Sequence, residues 1–290
     1  MTRKMIFAGI VLLFVASCSN DKETLVDNNA IAPVRVHVTG FNVSQEEFSP
    51  TRAAQDVADY NDVNAVTLAF YKADGTEAYK TTQAKGDTSF GTFSLSLPMG
   101  SYTMVALAYY TNENSVLTLT SATEASYNVR ARETFAYTQA VNISNTDAVD
   151  ISATLNRIVS MLTVKSTDGK TADVTNVRMT LSAGGKDFNP TTGLAITTTG
   201  LTNTVGNGAD VGKISTSSTM FFLNTDEQDI DVTIETLDAN GAVLFTKTVP
   251  NVPFKRNRVT KLTGAMYSNA GTFGSFQVET AWLSDQSGTF

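Results

Sequence analysis

From Val34 onward, apolar and polar side chains alternate with period two, and that pattern restricts the chain to extended strands. Val34-Arg35-Val36-His37-Val38 shows it, as do Ala65-Val66-Thr67-Leu68-Ala69-Phe70-Tyr71 and Phe93-Ser94-Leu95-Ser96-Leu97. Each reads as a strand with one buried face. Tyr102 to Tyr110 reads as a longer and more deeply buried strand, with Tyr102, Met104, Ala106, Ala108 and Tyr110 on one face. The same reasoning places strands at 148–156, 158–165, 174–182, 218–223, 229–236, 242–248, 258–267 and 275–283. Thr, Val, Phe and Tyr dominate these runs, as a pleated surface favours. Asp74-Gly75, Asp168-Gly169, Gly184-Gly185 and Asn240-Gly241 supply turn residues that tolerate positive φ. Single helical turns are expected only over Gln55–Tyr60 and Ala122–Tyr127. Strands this close together, punctuated in this way, give an all-β chain of the sandwich type rather than a βαβ fold.

The first 17 residues obey a different rule. Arg3 and Lys4 precede an apolar stretch from Met5 to Val15, then Ala16-Ser17 and Cys18, the only cysteine. A basic start, a short apolar run and small residues describe a secretory signal peptide, too short for a spanning helix of about 20 residues. Val15-Ala16-Ser17-Cys18 resembles the lipobox of bacterial lipoproteins. That resemblance implies cleavage before Cys18, acylation at Cys18 (palmitate on the thiol) and anchoring to a membrane by lipid, where each buried CH₂ contributes about 0.8 kcal/mol. Residues 18–30 then read as a polar tether. Within it, Asp21, Lys22 and Glu23 resemble the acidic signal that sends some Bacteroidales lipoproteins to the outer face of the outer membrane.

Removal of the signal leaves 273 residues, comfortable for two domains of ordinary size. The best division falls near 150–160, giving domains at 31–155 and 156–290. The strand-like run Asn156 to Val164 follows Leu155 directly, with no Pro- or Gly-containing linker between them, so the two units are expected to be stiffly coupled through a nearly unbroken strand. With a single cysteine, no disulfide forms within the chain; packing and sheet hydrogen bonds hold it.

Composition excludes several functions. The formal charge is −7, becoming −9 once Arg3 and Lys4 are lost, with no basic run, which argues against nucleic acid and against electrostatic docking on anionic lipid. One histidine, His37, and one cysteine leave no His-based triad, cysteine nucleophile or His/Cys zinc site. No carboxylate pair stands out for acid–base work, so no enzyme, cofactor or metal is expected. Asp226, Glu227, Asp229 and Asp231 form an acidic cluster without EF-hand spacing and read as a solvated loop rather than a Ca²⁺ site. Lys255, Arg256 and Arg258 read as a solvated turn. Gly206-Asn207-Gly208 lacks the βα context of a phosphate loop. Tyr109, Tyr110, Tyr127 and Tyr137 are the aromatics a glycan-binding face would draw on.

Four stretches together resemble the fimbrillin superfamily, the subunit lipoproteins of Bacteroidales type V pili. They are the lipobox Val15–Cys18, the turn and strand Leu97-Pro98-Met99-Gly100-Ser101-Tyr102, Leu155-Asn156-Arg157-Ile158-Val159, and Asn257 to Tyr267 followed by Phe276-Gln277-Val278-Glu279-Thr280-Ala281-Trp282. The resemblance implies two tandem transthyretin-like, Ig-like Greek-key sandwich domains. It implies a structural subunit of a surface fimbria, active in adhesion, with other fimbrial subunits, the outer membrane and a host or bacterial surface ligand as partners. It further implies that an Arg-specific protease removes the first strand and that a neighbour's strand refills the groove by β-augmentation. Mapped here, the cut follows Arg52 in Ser49-Pro50-Thr51-Arg52-Ala53-Ala54. The displaced strand is Val34 to Val43, with Val34, Val36 and Val38 inward. The donor candidate is the C-terminal run Phe276, Val278, Thr280 and Trp282; terminal strands usually pair at home, so the same run reads first as the last strand of the second domain, packing Trp282 into its own core. The alternatives are a non-polymerising pilus anchor and a monomeric surface lipoprotein that binds glycan.

Overall fold

A computed structural model of the protein describes residues 30–42, 57–268 and 275–279. Within these residues the chain is β throughout, apart from one 3-10 turn at Val57–Asp59. The strands of the first part are β1 (Ile31–Asn42), β2 (Ala65–Lys72), β3 (Glu77–Ala84), β4 (Thr92–Pro98), β5 (Gly100–Tyr109), β6 (Leu117–Ser121), β7 (Glu124–Tyr127), β8 (Thr134–Ile143) and β9 (Val149–Arg157). Those of the second are β10 (Ser160–Ser166), β11 (Asn176–Leu181), β12 (Asp187–Asn189), β13 (Leu194–Ala195), β14 (Leu201–Gly206), β15 (Thr216–Phe221), β16 (Glu227–Leu237), β17 (Val243–Lys255), β18 (Val259–Gly264) and β19 (Ser275–Glu279).

The first part forms one seven-stranded sheet in the order β3-β2-β5-β8-β9-β1-β4. Its strands β8 and β9 pair at only two positions, Phe135↔Arg157 and Ala136↔Asn156. The sheet therefore turns a corner there. The two layers it makes, β3-β2-β5-β8 and β9-β1-β4, enclose a single core built from Val34 and Val36 of β1, Leu68 and Phe70 of β2, Met104 of β5, Phe135 of β8 and Leu155 of β9. The Leu97–Tyr102 turn is closed by the Tyr102 hydroxyl, which donates to the Pro98 carbonyl at 2.7 Å.

The second part repeats this wiring. Its layers are β14-β11-β16-β17 and β15-β10-β18, the latter extended by β19. In both parts the first strand pairs in parallel with the last, β1 with β9 and β10 with β18. In both, the second strand lies between the third and the fifth. A second core, with Leu162, Met179, Phe221, Ile234 and Leu262, lies between these layers.

Each part carries one inserted hairpin, β6–β7 in the first and β12–β13 in the second. The two hairpins meet in a fourth sheet, β13-β12-β7-β6, through Asp187↔Ser126 and Phe188↔Ala125. Beneath that sheet a third core joins both parts, with Tyr71, Leu107, Tyr127, Phe188, Phe222 and Val259 among its members. This burial corrects two expectations. The run Ala65–Tyr71 is not half-buried: Val66, Leu68 and Phe70 face one core while Ala65, Ala69 and Tyr71 face the other. Ala122–Tyr127 is not a helical turn but the return of the β6–β7 hairpin, because Leu119 and Ala125 pair across it and Tyr127 must reach the shared core.

Of the turns read from the sequence, Gly75, Gly184 and Gly241 do take φ of 83°, 86° and 82°. At Asp168-Gly169 the aspartate is used differently: its carboxylate accepts the backbone N–H groups of Met266 and Tyr267 at 2.8 and 2.9 Å. Asn207 is no phosphate loop; its amide donates to the Tyr267 hydroxyl at 2.7 Å inside the second part.

Candidate functional site

The first candidate is the seat of β1. This strand lies inside its layer, antiparallel to β4 (Ile31↔Pro98 to His37↔Thr92) and parallel to β9 (Val34↔Val149 to Asn42↔Asn156). Period-two geometry sends Val34, Val36 and Val38 inward, at 0, 0 and 4% exposure, and leaves Arg35 and His37 outside. A register shift after Val38 passes through Gly40 at φ 147°, and Val38 N–H donates instead to Gly91 O at 2.8 Å. Gly91 sits at φ 84°, and a Cβ there would fall 2.5 Å from Val57 Cγ1. Burying three valines contributes on the order of 1.5–3 kcal/mol each. His37 sits outside, its Nδ1 3.3 Å from Thr92 Oγ1.

At the far end of β1, Phe41 packs on Phe135 and Tyr60, with ring centroids 4.1 and 5.1 Å away. These rings cover a buried ion pair. Arg157 Nε donates to Glu133 Oε1 at 2.5 Å, and both side chains are 5% exposed or less. The same guanidinium donates to the Tyr60 hydroxyl, reaches Asn257 Oδ1 at 3.2 Å and lies 4.9 Å over the Phe135 ring. Burial pushes the Glu133 carboxyl above the usual carboxylate range, against the pull of Arg157. Burial, followed by the charge of Glu133, raises the Tyr60 hydroxyl. This cluster ties β1, β8, β9 and the second part together. Sequence reasoning missed it, although a signal was present: Ile151, Ala153 and Leu155 set the inward phase of β9, and Arg157 continues it.

Beside this cluster the two parts leave an open cleft of ≈ 710 Å³, lined by residues 136–138, 156–158, 190–193 and 255–258 together with Asp226 and Glu227. Gly193 takes φ 72° at its wall, where a Cβ would meet Ile158 Cγ2 at 2.7 Å. The acidic and basic groups read separately from the sequence come together here. Lys255 Nζ lies 2.5 Å from Glu227 Oε1, and Arg256 Nη2 lies 2.8 Å from Asp226 Oδ1. The hydrogen bond from Lys255 lowers the Glu227 carboxyl below its ordinary range. Asp231 Oδ1 instead accepts Asn251 N–H at 2.8 Å. Lys255 and Arg256 thus pair with Glu227 and Asp226 while all four side chains stay solvated, 31–68% exposed. Among the described residues no three or more His, Cys, Asp or Glu converge on a metal position.

Cys18 and Arg52 lie outside the described residues, as do Thr280 and Trp282. Phe276 and Val278 lie in β19, which pairs with β18 at Leu262↔Phe276 and Thr260↔Val278. The glycan-face tyrosines do not converge: Tyr109 and Tyr127 are 6 and 1% exposed, because the shared core needs their rings. Among the described residues no helix is long and apolar enough to cross a membrane.

The chain belongs to DUF6562, a family of unknown function. The match runs over residues 33–285, from the start of the β1 alternation to beyond β19. None of the curated proteins matches the DUF6562 chain. Among solved structures, it is similar to a candidate adhesin from Bacteroides ovatus, with a TM-score of 0.54 at 12% identity over 82% of this chain and 88% of that one. It is similar to a candidate polysaccharide-binding protein from Bacteroides thetaiotaomicron, with a TM-score of 0.51 at 11% identity over 86% and 96%. A third is the fimbrial anchor protein Mfa2 from Porphyromonas gingivalis, with a TM-score of 0.49 at 11% identity over 86% and 95%. The first two share the fold of this DUF6562 member.

Proposed function

We propose that this protein is a non-enzymatic subunit of a cell-surface adhesive fibre, exported as a lipoprotein on Cys18 and assembled by exchange at the β1 seat. The observation that carries the reading is the seat itself. β1 supplies three fully inward valines to the first core, lies between two ladder partners, and is separated from the next described residue, Val57, by a segment containing Arg52. A cut after Arg52 detaches the strand covalently while leaving β2 to β9 in one chain. The vacated slot then offers two ladder edges and apolar pockets at alternate positions, which is what an incoming strand requires. The repeated strand order supports two tandem transthyretin-like Greek-key sandwiches over 31–155 and 156–290. The folds shared with a candidate adhesin and a candidate polysaccharide-binding protein are consistent with a surface location, adhesion and partners on other cells.

The N-terminus of protein recovered from the native cell surface tests this. A start at Ala53 in high-molecular-weight material is expected. An acylated Cys18 as the sole start, in monomeric material, would overturn assembly by exchange and leave an uncut anchor or a monomeric lipoprotein.

A further inference from the structure

At one corner of the molecule the matching of charges fails. Elsewhere arginines that pack on the fold meet carboxylates: Arg157 meets Glu133, Arg178 meets Glu235 and Arg256 meets Asp226. Arg130 and Arg132 do not. Among the described residues neither side chain makes an ion pair or a hydrogen bond. Only their carbonyls are used, accepting from Ser115 Oγ at 2.6 Å and from Thr134 Oγ1 at 2.8 Å. Carboxylates are not scarce in this chain, which has 28 acidic residues against 21 basic.

The two arginines flank Ala131, which bridges to Met220 of β15 and enters the shared core at 2% exposure. In an extended segment the residues on either side of an inward one share the outward face, and both arginines are half-buried there. The Arg132 guanidinium lies over the Tyr110 ring, 5.7 Å from its centre. Burial, then the charge of Arg130, pulls that guanidinium below its ordinary value. Its Nε is buried without an acceptor, while its Nη groups keep contact with solvent. Lys186, just before β12, adds a third cation, its Nζ donating to Asn128 O at 2.6 Å. The carboxylates of this corner are engaged or turned outward. Glu133 holds Arg157, Asp187 accepts from Thr197 N–H and Oγ1 at 3.1 and 2.8 Å, and Glu113 is exposed in the 112–115 turn.

Unmatched like charges side by side cost stability, and an incoming anion removes that cost. A guanidinium fork matches a carboxylate with two parallel hydrogen bonds. Tyr110 is half-buried beside it, and its hydroxyl makes no hydrogen bond among the described residues. A long polyanion or an anionic membrane would be repelled by a chain of net charge −7, so the ligand carries little charge beyond the point of contact. A sugar ring with one carboxylate meets these terms. Its charge suits the forks, its C–H face suits an aromatic ring and its hydroxyls suit the phenol. We propose that Arg130, Arg132 and Tyr110 form a binding site for a carboxylate-bearing sugar at the end of a surface glycan. This gives the adhesive reading above a ligand class and rests on that reading only for a surface location; strand exchange plays no part in it.

Saturation-transfer NMR on the uncut full chain tests the site, with methyl glucuronoside as the probe and methyl glucoside as its neutral twin. Transfer to the glucuronoside alone is expected, and it should weaken with added salt. Arg130→Gln and Arg132→Gln are each expected to weaken binding by about tenfold or more, and Arg132→Lys, which keeps the charge but loses the fork, to restore only part of it. Arg178→Gln, which removes a paired arginine from another sheet, is expected to leave binding unchanged. Melting separates binding from a structural role: Arg130→Gln relieves the like-charge contact and is expected to melt no lower than the parent. No transfer to the glucuronoside, equal transfer to the glucoside, or binding that both glutamine variants leave unchanged overturns the proposal. Acetate that competes as well as the glucuronoside assigns a plain anion site and also overturns it. None of these failures touches assembly by exchange, which the N-terminus tests by itself.

Discussion

The two seven-strand parts share one strand order but hold their first strands differently. β10 follows β9 after only Ile158 and Val159, so it is fixed covalently on both sides by structure. β1 is joined to the next described element across residues 43–56, and among the described residues its two ladders and its inward side chains hold it. Burial does not distinguish the two strands, since Val36 of β1 and Val164 of β10 are both fully buried; on the reading proposed above, the difference would lie in chain connection.

The largest effect expected on this comparison lies where the parts meet. Glu133→Ala strands the Arg157 guanidinium in the interior and is expected to cost about 3–5 kcal/mol in denaturant unfolding. Lys255→Ala, which breaks an exposed pair at the cleft rim, is expected to leave the unfolding midpoint unchanged. Equal losses would mean that the parts are not joined through the buried pair.

Next come the first strands themselves. Val36→Ala and Val164→Ala are each expected to cost about 2 kcal/mol, as truncation of a buried valine does. They should differ in hydrogen exchange: Val36→Ala speeds exchange within β1 alone, whereas Val164→Ala speeds it across the second part. Matching exchange patterns would erase the distinction between a separable and an integral strand.

Two glycines sharpen the contrast further. Gly91→Ala combines φ 84° with a Cβ 2.5 Å from Val57 Cγ1, directly beneath the β1 bulge, and is expected to cost about 1–3 kcal/mol. Gly241→Ala has similar φ, 82°, but open space around it, and is expected to cost about 1 kcal/mol by thermal melting.

The smallest effects are in pH. The Glu133 carboxyl is raised in the fold, so its contribution is fully present below the ordinary glutamate value of 4.5 and is lost as pH rises through the folded value. Glu227 is lowered, so its contribution is present above 4.5 and is lost as pH falls through its folded value. Urea titrations across acid pH are expected to lose the first slope in Glu133→Gln and the second, weaker one in Glu227→Gln. The Glu227 slope alone is expected to vanish in high salt, because its pair is exposed.

Much of this was legible in the residues. The inward phase of Val34, Val36 and Val38 follows from alternation, because a strand has only two faces. The strands over 93–97, 102–110 and 229–236 could be read for the same reason. Ala122–Tyr127 could not: four residues pairing across a tight return look like a helical turn until the partner hairpin from residues 187–195 is placed beside them. Charged residues misled in a related way. Asp226, Glu227, Lys255 and Arg256 read as two solvated groups, since a separation of nearly 30 residues gives no local sign that the β16–β17 ladder sets Glu227 opposite Lys255.

By itself the sequence determined that the chain is β, where most strands run, which faces are apolar and that Cys18 stands alone. These are local properties, set by side-chain period and turn chemistry. Only the tertiary structure decided that the strand order occurs twice, that two inserted hairpins knit the parts into one shared core, and that Arg157 meets Glu133, Tyr60 and Asn257. Such contacts join residues 24 to 100 positions apart. They form because burying a charge demands a partner from wherever the fold supplies one.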